Sequence, residues 1–224
     1  FAYYTCSKFV SEYVKVALTG HGGDEVFAGY PAQFQAAFGS TDMFDLYSDP
    51  ERPGQRSFYR RLEEILLSGS FRRIYGAIRN RFGRSTLTLE DNWIRLHCGA
   101  EPKQDALFNP ALIEFLDGYT PRDSYIEPFK MVGNASTLDK CLYHDLRTYL
   151  PGLLHLEDRA SMAVSIESRV PLLDYRILEY LATVPQEQKV KNLTPKYLLR
   201  EVASTLLPQS IVARKDKKPF PVPV

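Results

Sequence analysis

The sequence has few cysteines and no long apolar run. Its 224 residues include three cysteines, Cys6, Cys98 and Cys141, and none of them stands in a Cys-x-x-Cys pair. That count and spacing favour buried free thiols over a disulfide framework or a zinc site. No apolar stretch approaches the roughly 18 to 20 residues that a membrane span requires, and no segment resembles a signal peptide. With a net charge of +1 and 44% hydrophobic residues, the composition predicts a globular, cytoplasmic protein of one or two domains without a membrane partner.

The sequence also has little of the pattern that marks β-strands. Only residues 14–18, an apolar and valine-rich run, favour a strand, while helical periodicity interrupted by turn signals occupies the rest. One strand cannot form a parallel sheet that is buried on both faces. The sequence therefore predicts a mainly α chain, with a single parallel-type strand that is exposed, marginally stable or paired with a partner.

This strand leads into a glycine-rich turn that carries two carboxylates, with the sequence TGHGGDE at residues 19–25. Glycine adopts positive φ without strain and lets the backbone approach a ligand closely, and acidic residues at the exit of the turn can hold a cation or a polar substrate. The alternative is an ordinary glycine turn before a helix with an acidic first turn. The candidate binding residues are Gly20, Gly22, Gly23, Asp24 and Glu25.

The middle of the chain, residues 39–133, is predicted to be a helical insertion. Apolar residues at helical spacing and turn signals indicate helices near 55–67, 70–82, 88–98 and 104–117. Between residues 56 and 84 there are eight arginines against two glutamates. A nucleic-acid-binding surface is one interpretation. The arginines are scattered around helices whose apolar faces already form core stripes, which favours a solvated face or a contact with a partner domain and disfavours nucleic acid.

Four motifs follow in the last third of the chain: LPGLLHLEDRASM at 150–162, IESRVPLLD at 166–174, PKYLLR at 195–200 and KDKKPFPVP at 215–223. Leucines at period four predict a helix over 138–150 that Pro151 and Gly152 interrupt, and a second helix over about 153–168. Asp174 is expected to cap a helix that runs to about residue 183, and Pro195 to open a helix over 196–206.

Together with TGHGGDEVFAGY at residues 19–30, these motifs resemble the synthetase domain of glutamine-hydrolysing asparagine synthetases. The resemblance covers roughly residues 1–32 and 136–224. It implies a remnant of an α/β adenine-nucleotide alpha-hydrolase-like (ATP pyrophosphatase) domain. Residues 1–38 would supply the strand and turn of its core, 39–133 the insertion, and 134–224 a helical C-terminal layer.

Family members carry a Ser-Gly-Gly-x-Asp-Ser pyrophosphate loop and an N-terminal cysteine glutaminase domain upstream, and neither is in this sequence, which begins at Phe1. The chain is therefore expected to be part of a longer polypeptide. Its expected partners are the missing glutaminase and pyrophosphate-loop portions of the same polypeptide, small-molecule substrates, and a second copy of the chain in a homodimer. By itself the chain is expected to be inactive.

The resemblance also implies roles for individual residues. Lys217 aligns with a catalytic lysine near the ATP α-phosphate, although a solvated charge run is the alternative for residues 214–218. Glu167 aligns with a glutamate that faces the substrate, so it is expected to bind substrate or handle a proton, with a structural role as the alternative. Arg169 is a further candidate for substrate or nucleotide binding. Asp24 is expected to hold Mg²⁺, which makes ATP and Mg²⁺ the expected cofactors.

Two positions depart from the family pattern. His21 stands where asparagine synthetases commonly have glutamate, and Pro219 stands where the closing motif usually has glycine. An imidazole can relay a proton but cannot supply fixed negative charge, so His21 is a candidate catalytic residue that leaves the acceptor open. The expected reaction converts aspartate to asparagine through an acyl-adenylate, with nitrogen from glutamine. The alternative is an asparagine-synthetase-like ligase that acts on another carboxylate, as β-lactam synthetases and peptide-tailoring relatives do.

Overall fold

The computed structural model describes residues 1–39, 88–98, 109–118 and 121–214. This part of the chain is mainly helical, as predicted, and none of its helices is long and apolar enough to cross a membrane. In chain order the elements are α1 (Ala2–Ser11), β1 (Val16–Leu18), α2 (Gly23–Phe27), α3 (Pro31–Phe38), α4 (Leu89–Cys98), α5 (Pro110–Phe115), α6 (Pro121–Met131), α7 (Thr137–Met162), β2 (Glu167–Arg169), a 3-10 turn (Pro171–Leu173), α8 (Tyr175–Thr183), α9 (Gln186–Lys189), α10 (Tyr197–Ser204) and α11 (Gln209–Val212).

A second strand, β2, pairs with β1 in parallel, so the prediction of a single strand is wrong. Val16 is opposite Glu167 and Leu18 is opposite Arg169 in the register. The prediction failed because β2 is only three residues long, with charged residues at both ends and no apolar alternation. Val16 and Leu18 are exposed, as predicted for a strand in so small a sheet.

The long helix α7 runs through Pro151, where the sequence predicts a break. Proline removes one backbone hydrogen bond and crowds the preceding turn, but packing on both sides of it holds the helix together. Leu142 and Leu150 before the proline and Ser161 after it are buried, and α7 contacts α1, α2, α3, α6 and β2. The helix ends at Met162, and Ser165 then adopts a left-handed conformation with φ of 58°. Glu167 and Arg169 therefore lie in a strand and not at a helix end.

The core consists of three clusters of buried apolar residues around α7. One joins α2, α3 and α7, the second joins α2 to α8, and the third joins α4 and α6 to α7. Their buried members are Ala28, Phe34, Leu138, Leu142 and Val190 in the first, Val26, Leu181 and Val184 in the second, and Trp93, Phe129 and Cys141 in the third.

Local signals predicted some helix starts better than others. The Asp174 side chain accepts a hydrogen bond from the backbone N–H of Arg176, so the predicted cap of α8 is confirmed. The helix predicted to open at Pro195 begins two residues later, because Lys196 is left-handed with φ of 55°. In the insertion, α4 matches the helix predicted at 88–98 and α5 lies within the one predicted at 104–117.

The remaining predictions concern the insertion and the cysteines. The helices predicted near 55–67 and 70–82, and the arginines of residues 56–84, lie outside the described residues. Cys141 is a buried free thiol as predicted, whereas Cys6 is free but exposed, which corrects its predicted burial. The side chain of Cys98 lies outside the described part.

Candidate active site

The glycine-rich turn lies at the carboxyl end of β1 and leads into α2. Its hydrogen bonds continue the sheet, since Thr19 N donates to Arg169 O at 2.9 Å. Gly22 has φ of 86°, and a Cβ there would overlap the side chain of Leu173 in the 3-10 turn. At Gly20 a Cβ would meet nothing within 4 Å. Gly22 is therefore required by the chain's own packing, whereas the surface at Gly20 is open to a ligand.

His21 projects from this turn towards a carboxylate of α7. Its Nε2 lies 2.9 Å from Glu157 Oε2, and both side chains are largely buried, with exposed fractions of 15% and 13%. The other carboxylate oxygen, Oε1, accepts a hydrogen bond from Ser168 Oγ at 2.9 Å. The ring of Tyr3 meets the imidazole edge-on at a centroid distance of 5.9 Å. Glu157 thus joins the turn to the centre of β2.

Two buried polar atoms of the turn have no hydrogen-bond partner among the described residues. These are Thr19 Oγ1 and His21 Nε2. The imidazole nitrogen is close to Glu157 Oε2 but is not aligned for a hydrogen bond. Native folds leave few buried polar atoms unsatisfied, and those that remain often face a water, an ion or a ligand. Thr19 and His21 flank Gly20, at which a Cβ would have open space, and this arrangement favours a binding site at the turn.

Asp24 forms an ion pair with a lysine at the start of α10. Its Oδ1 lies 3.0 Å from Lys196 Nζ, and the two side chains keep exposed fractions of 20% and 28%. The backbone N–H of Lys196 donates to Ala28 O at 3.0 Å, which fixes the start of α10 against the end of α2. Gly29 passes so close that a Cβ there would overlap both charged side chains. The pair is held in place but remains accessible to solvent.

Glu25, the other acidic residue of the turn, points into the protein. Its exposed fraction is 2%, and its Oε1 accepts a hydrogen bond from Tyr30 Oη at 2.6 Å. Burial and this carboxylate raise the pKa of Tyr30, which therefore stays protonated. This contact indicates that Glu25 supports the turn. A direct role in ligand binding stays a prediction.

The buried amide of Gln33 connects the turn to α7. Its Oε1 accepts from the Tyr30 N–H at 3.0 Å, and its Nε2 donates to Asp145 Oδ2 at 2.7 Å. Burial, together with the charge of Glu25, raises the pKa of Asp145 to about 7, although the hydrogen bond from Gln33 opposes this rise. Residues 24–30 therefore rest on a polar network inside the fold.

Glu167 and Arg169 lie apart from the His21–Glu157 pair. Their side chains form an ion pair of 2.7 Å and are mostly exposed, at 56% and 62%. Alternate residues of a strand point to opposite faces, and the residue between them, Ser168, is the one that contacts Glu157. The structure therefore brings together His21 and Asp24 on one turn, but places Glu167 and Arg169 on the opposite face of β2.

Sequence reasoning missed Glu157, Lys196 and Thr19 as site residues. Glu157 and Lys196 stand inside motifs that were recognised, but their partners are far away in sequence, and no local spacing links them to the turn. Thr19 precedes the first glycine and carries no charge that would single it out. Lys217 and Pro219 lie outside the described residues, so the role of Lys217 stays a prediction.

The site fits a metal ion only if a ligand brings the rest of its coordination. In the described ranges, no three or more His, Cys, Asp or Glu residues are grouped closely enough to hold a metal. Mg²⁺ is commonly held by one or two carboxylates together with waters and substrate phosphates. Asp24, which is partly exposed, fits as one such carboxylate for a nucleotide-borne Mg²⁺.

A sequence model described as Asparagine synthase matches residues 1–224. The chain belongs to the asparagine synthase family. Two bacterial relatives illustrate the degree of sequence identity. The chain is 31% identical over 235 residues to the glutamine-hydrolyzing asparagine synthetase 1 of Bacillus subtilis, covering 99% of this chain and 33% of that protein. It is 28% identical over 214 residues to a putative glutamine-hydrolyzing asparagine synthetase of Mycobacterium tuberculosis, covering 95% and 30%.

A fungal protein with a different name also matches. The chain is 27% identical over 226 residues to Amidase chyE of Penicillium rubens, covering 88% of this chain and 31% of that protein. The chain thus spans about a third of the length of the curated relatives that it matches. Most of the length of each relative therefore lies outside the region aligned with this chain.

Proposed function

We propose that the full-length protein is an ATP-dependent ligase that activates a carboxylate by adenylation and converts it to an amide. Aspartate is the first candidate acceptor and glutamine the nitrogen source, as the names of the relatives suggest. One observation carries the proposal. The glycine-rich turn at the carboxyl end of a parallel strand carries both His21, whose imidazole lies beside the Glu157 carboxylate, and Asp24, which pairs with Lys196. Ligands of parallel α/β sheets bind at that end of the strands.

The first step would form a mixed anhydride. A carboxylate oxygen of the acceptor attacks the α-phosphorus of ATP, the bond to the β-phosphate oxygen breaks, and pyrophosphate leaves. Lys196 and Asp24 suit the phosphate side of this step, since the ammonium can turn to a phosphate oxygen when the carboxylate takes Mg²⁺. The bound Mg²⁺ would neutralise phosphate charge. Lys217 is proposed to compensate the charge that develops at the α-phosphate.

The second step would form the amide bond. Ammonia attacks the acyl carbon, loses a proton, and AMP leaves with the electrons of the broken acyl–oxygen bond. The imidazole of His21 is proposed to accept that proton, and the carboxylate of Glu157 would stabilise the imidazolium that results. Thr19 Oγ1, which is buried and free to hydrogen bond, is proposed to bind the substrate at the same turn.

The His21–Glu157 pair also favours a second candidate function. A buried base that carries its own carboxylate suits the deprotonation of a substrate amine as well as of ammonia. The protein would then be an asparagine-synthetase-like ligase that joins another carboxylate to an amine. The name of Amidase chyE supports this alternative, because it is not the name of an asparagine synthetase.

One assay separates these functions. The purified full-length protein is incubated with ATP, Mg²⁺, glutamine and aspartate, and AMP, pyrophosphate and asparagine are measured. Equal amounts of all three support asparagine synthesis. AMP and pyrophosphate that form with another carboxylate but not with aspartate support the second function. Failure to form AMP with any carboxylate and amine would contradict both.

A further inference from the structure

Tyr3 brings helix α1 to the glycine-rich turn. Its ring meets the imidazole of His21 at a centroid distance of 5.9 Å and an interplanar angle of 88°. Such an edge-to-face arrangement is favourable for two aromatic rings. Tyr3 belongs to the partly buried side of α1, together with Ser7 and Val10 at helical spacing. Because α1 packs against α7, the helix holds the tyrosine at the turn.

The phenol of Tyr3 is also influenced by the carboxylate that lies beside His21. Burial and then the charge of Glu157 raise the pKa of Tyr3, and Tyr149 and Glu25 add to the rise. The hydroxyl of Tyr3 therefore keeps its proton at neutral pH. Three elements thus contribute to one side of the turn, with Tyr3 from α1, His21 from the turn itself and Glu157 from α7.

The contact with Glu157 alone does not determine how the imidazole ring is turned. Rotation about the outer side-chain bond of a histidine is soft and has broad minima. His21 Nε2 lies 2.9 Å from Glu157 Oε2, but it has no hydrogen-bond partner among the described residues. A ring packed edge-on restricts this rotation, because turning the imidazole would bring its atoms against Tyr3.

We propose that Tyr3 is a positioning residue for His21. Its aromatic ring limits the rotation of the imidazole and keeps Nε2 beside Glu157, where this nitrogen can accept a proton. The ring and not the hydroxyl carries the role, since the observed contact joins the two rings. The inference rests on the proposed function for the proton that His21 accepts in amide formation, but the placement of the imidazole can be tested without that function.

The test uses the full-length protein with Tyr3→Leu, which removes the aromatic ring, and Tyr3→Phe, which keeps it. The matched control is Tyr4→Leu, because Tyr4 is the next residue of α1 and is 44% exposed. Reaction with diethyl pyrocarbonate, followed by peptide mass spectrometry, gives the rate at which the imidazole of His21 is modified. The exposed His155 of the same chain is the internal reference. Thermal unfolding gives the overall stability.

In Tyr3→Leu, we expect the modification rate of His21 relative to His155 to rise roughly threefold or more. A largely buried side chain reacts in proportion to local opening, and the leucine no longer restricts the imidazole. Tyr3→Phe and Tyr4→Leu should both match wild type, since each keeps an aromatic ring at position 3.

Rapid-quench measurement with ATP, Mg²⁺, glutamine and aspartate tests the consequence for the reaction. In Tyr3→Leu, amide formation should fall on the order of tenfold while pyrophosphate release and the KM for ATP are unchanged, since a misplaced proton acceptor affects the second step. In a His21→Ala background, Tyr3→Leu should cause no further loss, because it acts through the imidazole. A residue that only supported the fold would cause the same loss in both backgrounds.

Four results would overturn the inference. The first is an unchanged modification rate of His21 in Tyr3→Leu. The second is an equal rise in Tyr4→Leu, which would mean that any loosening of α1 exposes the imidazole. The third is a loss in Tyr3→Phe as large as in Tyr3→Leu, which would assign the role to the hydroxyl. The fourth is a loss of amide formation that persists in the His21→Ala background.

The proposed function and this inference can fail separately. If the wild-type protein forms neither AMP nor amide, the proposed function fails, whereas the modification rates still decide whether Tyr3 holds the imidazole. If amide formation in Tyr3→Leu equals that of wild type despite faster modification of His21, the positioning role in the reaction is wrong.

Discussion

Glu157 Oε2 lies 2.9 Å from His21 Nε2, while its Oε1 accepts a hydrogen bond from Ser168. One carboxylate of α7 thus connects the turn after β1 to the neighbouring strand. Because both side chains are largely buried, water screens the effect of the Glu157 carboxylate on the imidazole less than it would at the surface. The contact fixes the position of the imidazole of the residue that directly follows Gly20.

Glu157→Gln should separate the two half-reactions. The amide keeps an oxygen for Ser168 but removes the negative charge beside His21. If this pair accepts the amine proton, amide formation should fall by roughly 10²-fold or more while pyrophosphate release is kept, since a positioned general base contributes about 10²- to 10⁴-fold. Rapid-quench measurement of pyrophosphate and amide in the full-length enzyme reports both steps.

The control for this variant is Ser168→Ala, which removes a contact to the other oxygen of the same carboxylate and leaves its charge in place. It should reduce amide formation less than tenfold. Equal losses of pyrophosphate release and amide formation in Glu157→Gln would contradict a base role and indicate that the pair shapes the whole site.

Asp24→Asn should impair activity far more than stability. The Asp24–Lys196 pair is partly exposed, and such pairs contribute about 0 to 1 kcal/mol to folding. If Asp24 holds the Mg²⁺ of the nucleotide as proposed, the asparagine removes that carboxylate ligand, and pyrophosphate release in the full-length protein should be lost. The measurements are denaturant unfolding and pyrophosphate release. Unfolding at clearly lower denaturant together with normal pyrophosphate release would show that the pair is structural.

The sequence allowed the residues of the turn to be predicted better than their partners. The turn and the cap at Asp174 follow from local signals, which act over a few residues. Glu157 and Lys196 could not be assigned, because their roles depend on contacts with His21 and Asp24 that only the folded chain makes. Glu25 and Asp24 are adjacent carboxylates in the sequence, but in the fold Glu25 is buried against Tyr30 whereas Asp24 stays partly exposed.

Strand β2 and helix α7 show that secondary structure, too, could be predicted from local sequence only in part. A three-residue strand with charged ends carries no usable periodicity, and it forms because Glu167 N donates to Lys15 O and Thr19 N to Arg169 O. Pro151 is a local signal for a helix break, yet tertiary packing of α7 overrides it. Long-range contacts decided both outcomes.

Gly22→Ala and Gly20→Ala should differ sharply although the two glycines stand in one turn. At Gly22 the alanine would meet a positive φ and the side chain of Leu173. The left-handed conformation alone costs about 1 to 2 kcal/mol, and the steric overlap adds to this. At Gly20 a Cβ has open space, so the free energy of unfolding should change by roughly 0.5 kcal/mol or less. Denaturant unfolding of both variants checks the difference, and equal losses would show that the turn is arranged differently around Leu173.

Asp145→Asn should change the pH dependence of stability. Burial raises the pKa of Asp145 from 3.8 to about 7 in the folded protein. At a pH between these two values, the carboxyl group therefore binds a proton more fully in the folded state than in the unfolded state. Its contribution to stability is therefore complete below about pH 4 and is lost as the pH rises through about 7. By this linkage the loss in wild type is about 4 kcal/mol. The amide introduced by the substitution does not titrate, while its oxygen can still accept the hydrogen bond from Gln33.

The difference in unfolding free energy between Asp145→Asn and wild type should therefore increase in favour of the variant from pH 4 to pH 7 and then level off. His144, whose pKa burial lowers to about 4, destabilises both proteins as the pH falls from about 6.5 to 4. Its contribution cancels in the comparison because its contacts to Trp93 and Tyr125 are the same in both.

Gln33→Leu is the complementary variant. It removes the hydrogen bond to Asp145 that opposes the pKa rise, so the pH at which stability is lost should move upward. A difference curve that stays flat between pH 4 and 7 would mean that Asp145 is ionised throughout, with Gln33 and not a bound proton stabilising its buried carboxyl group.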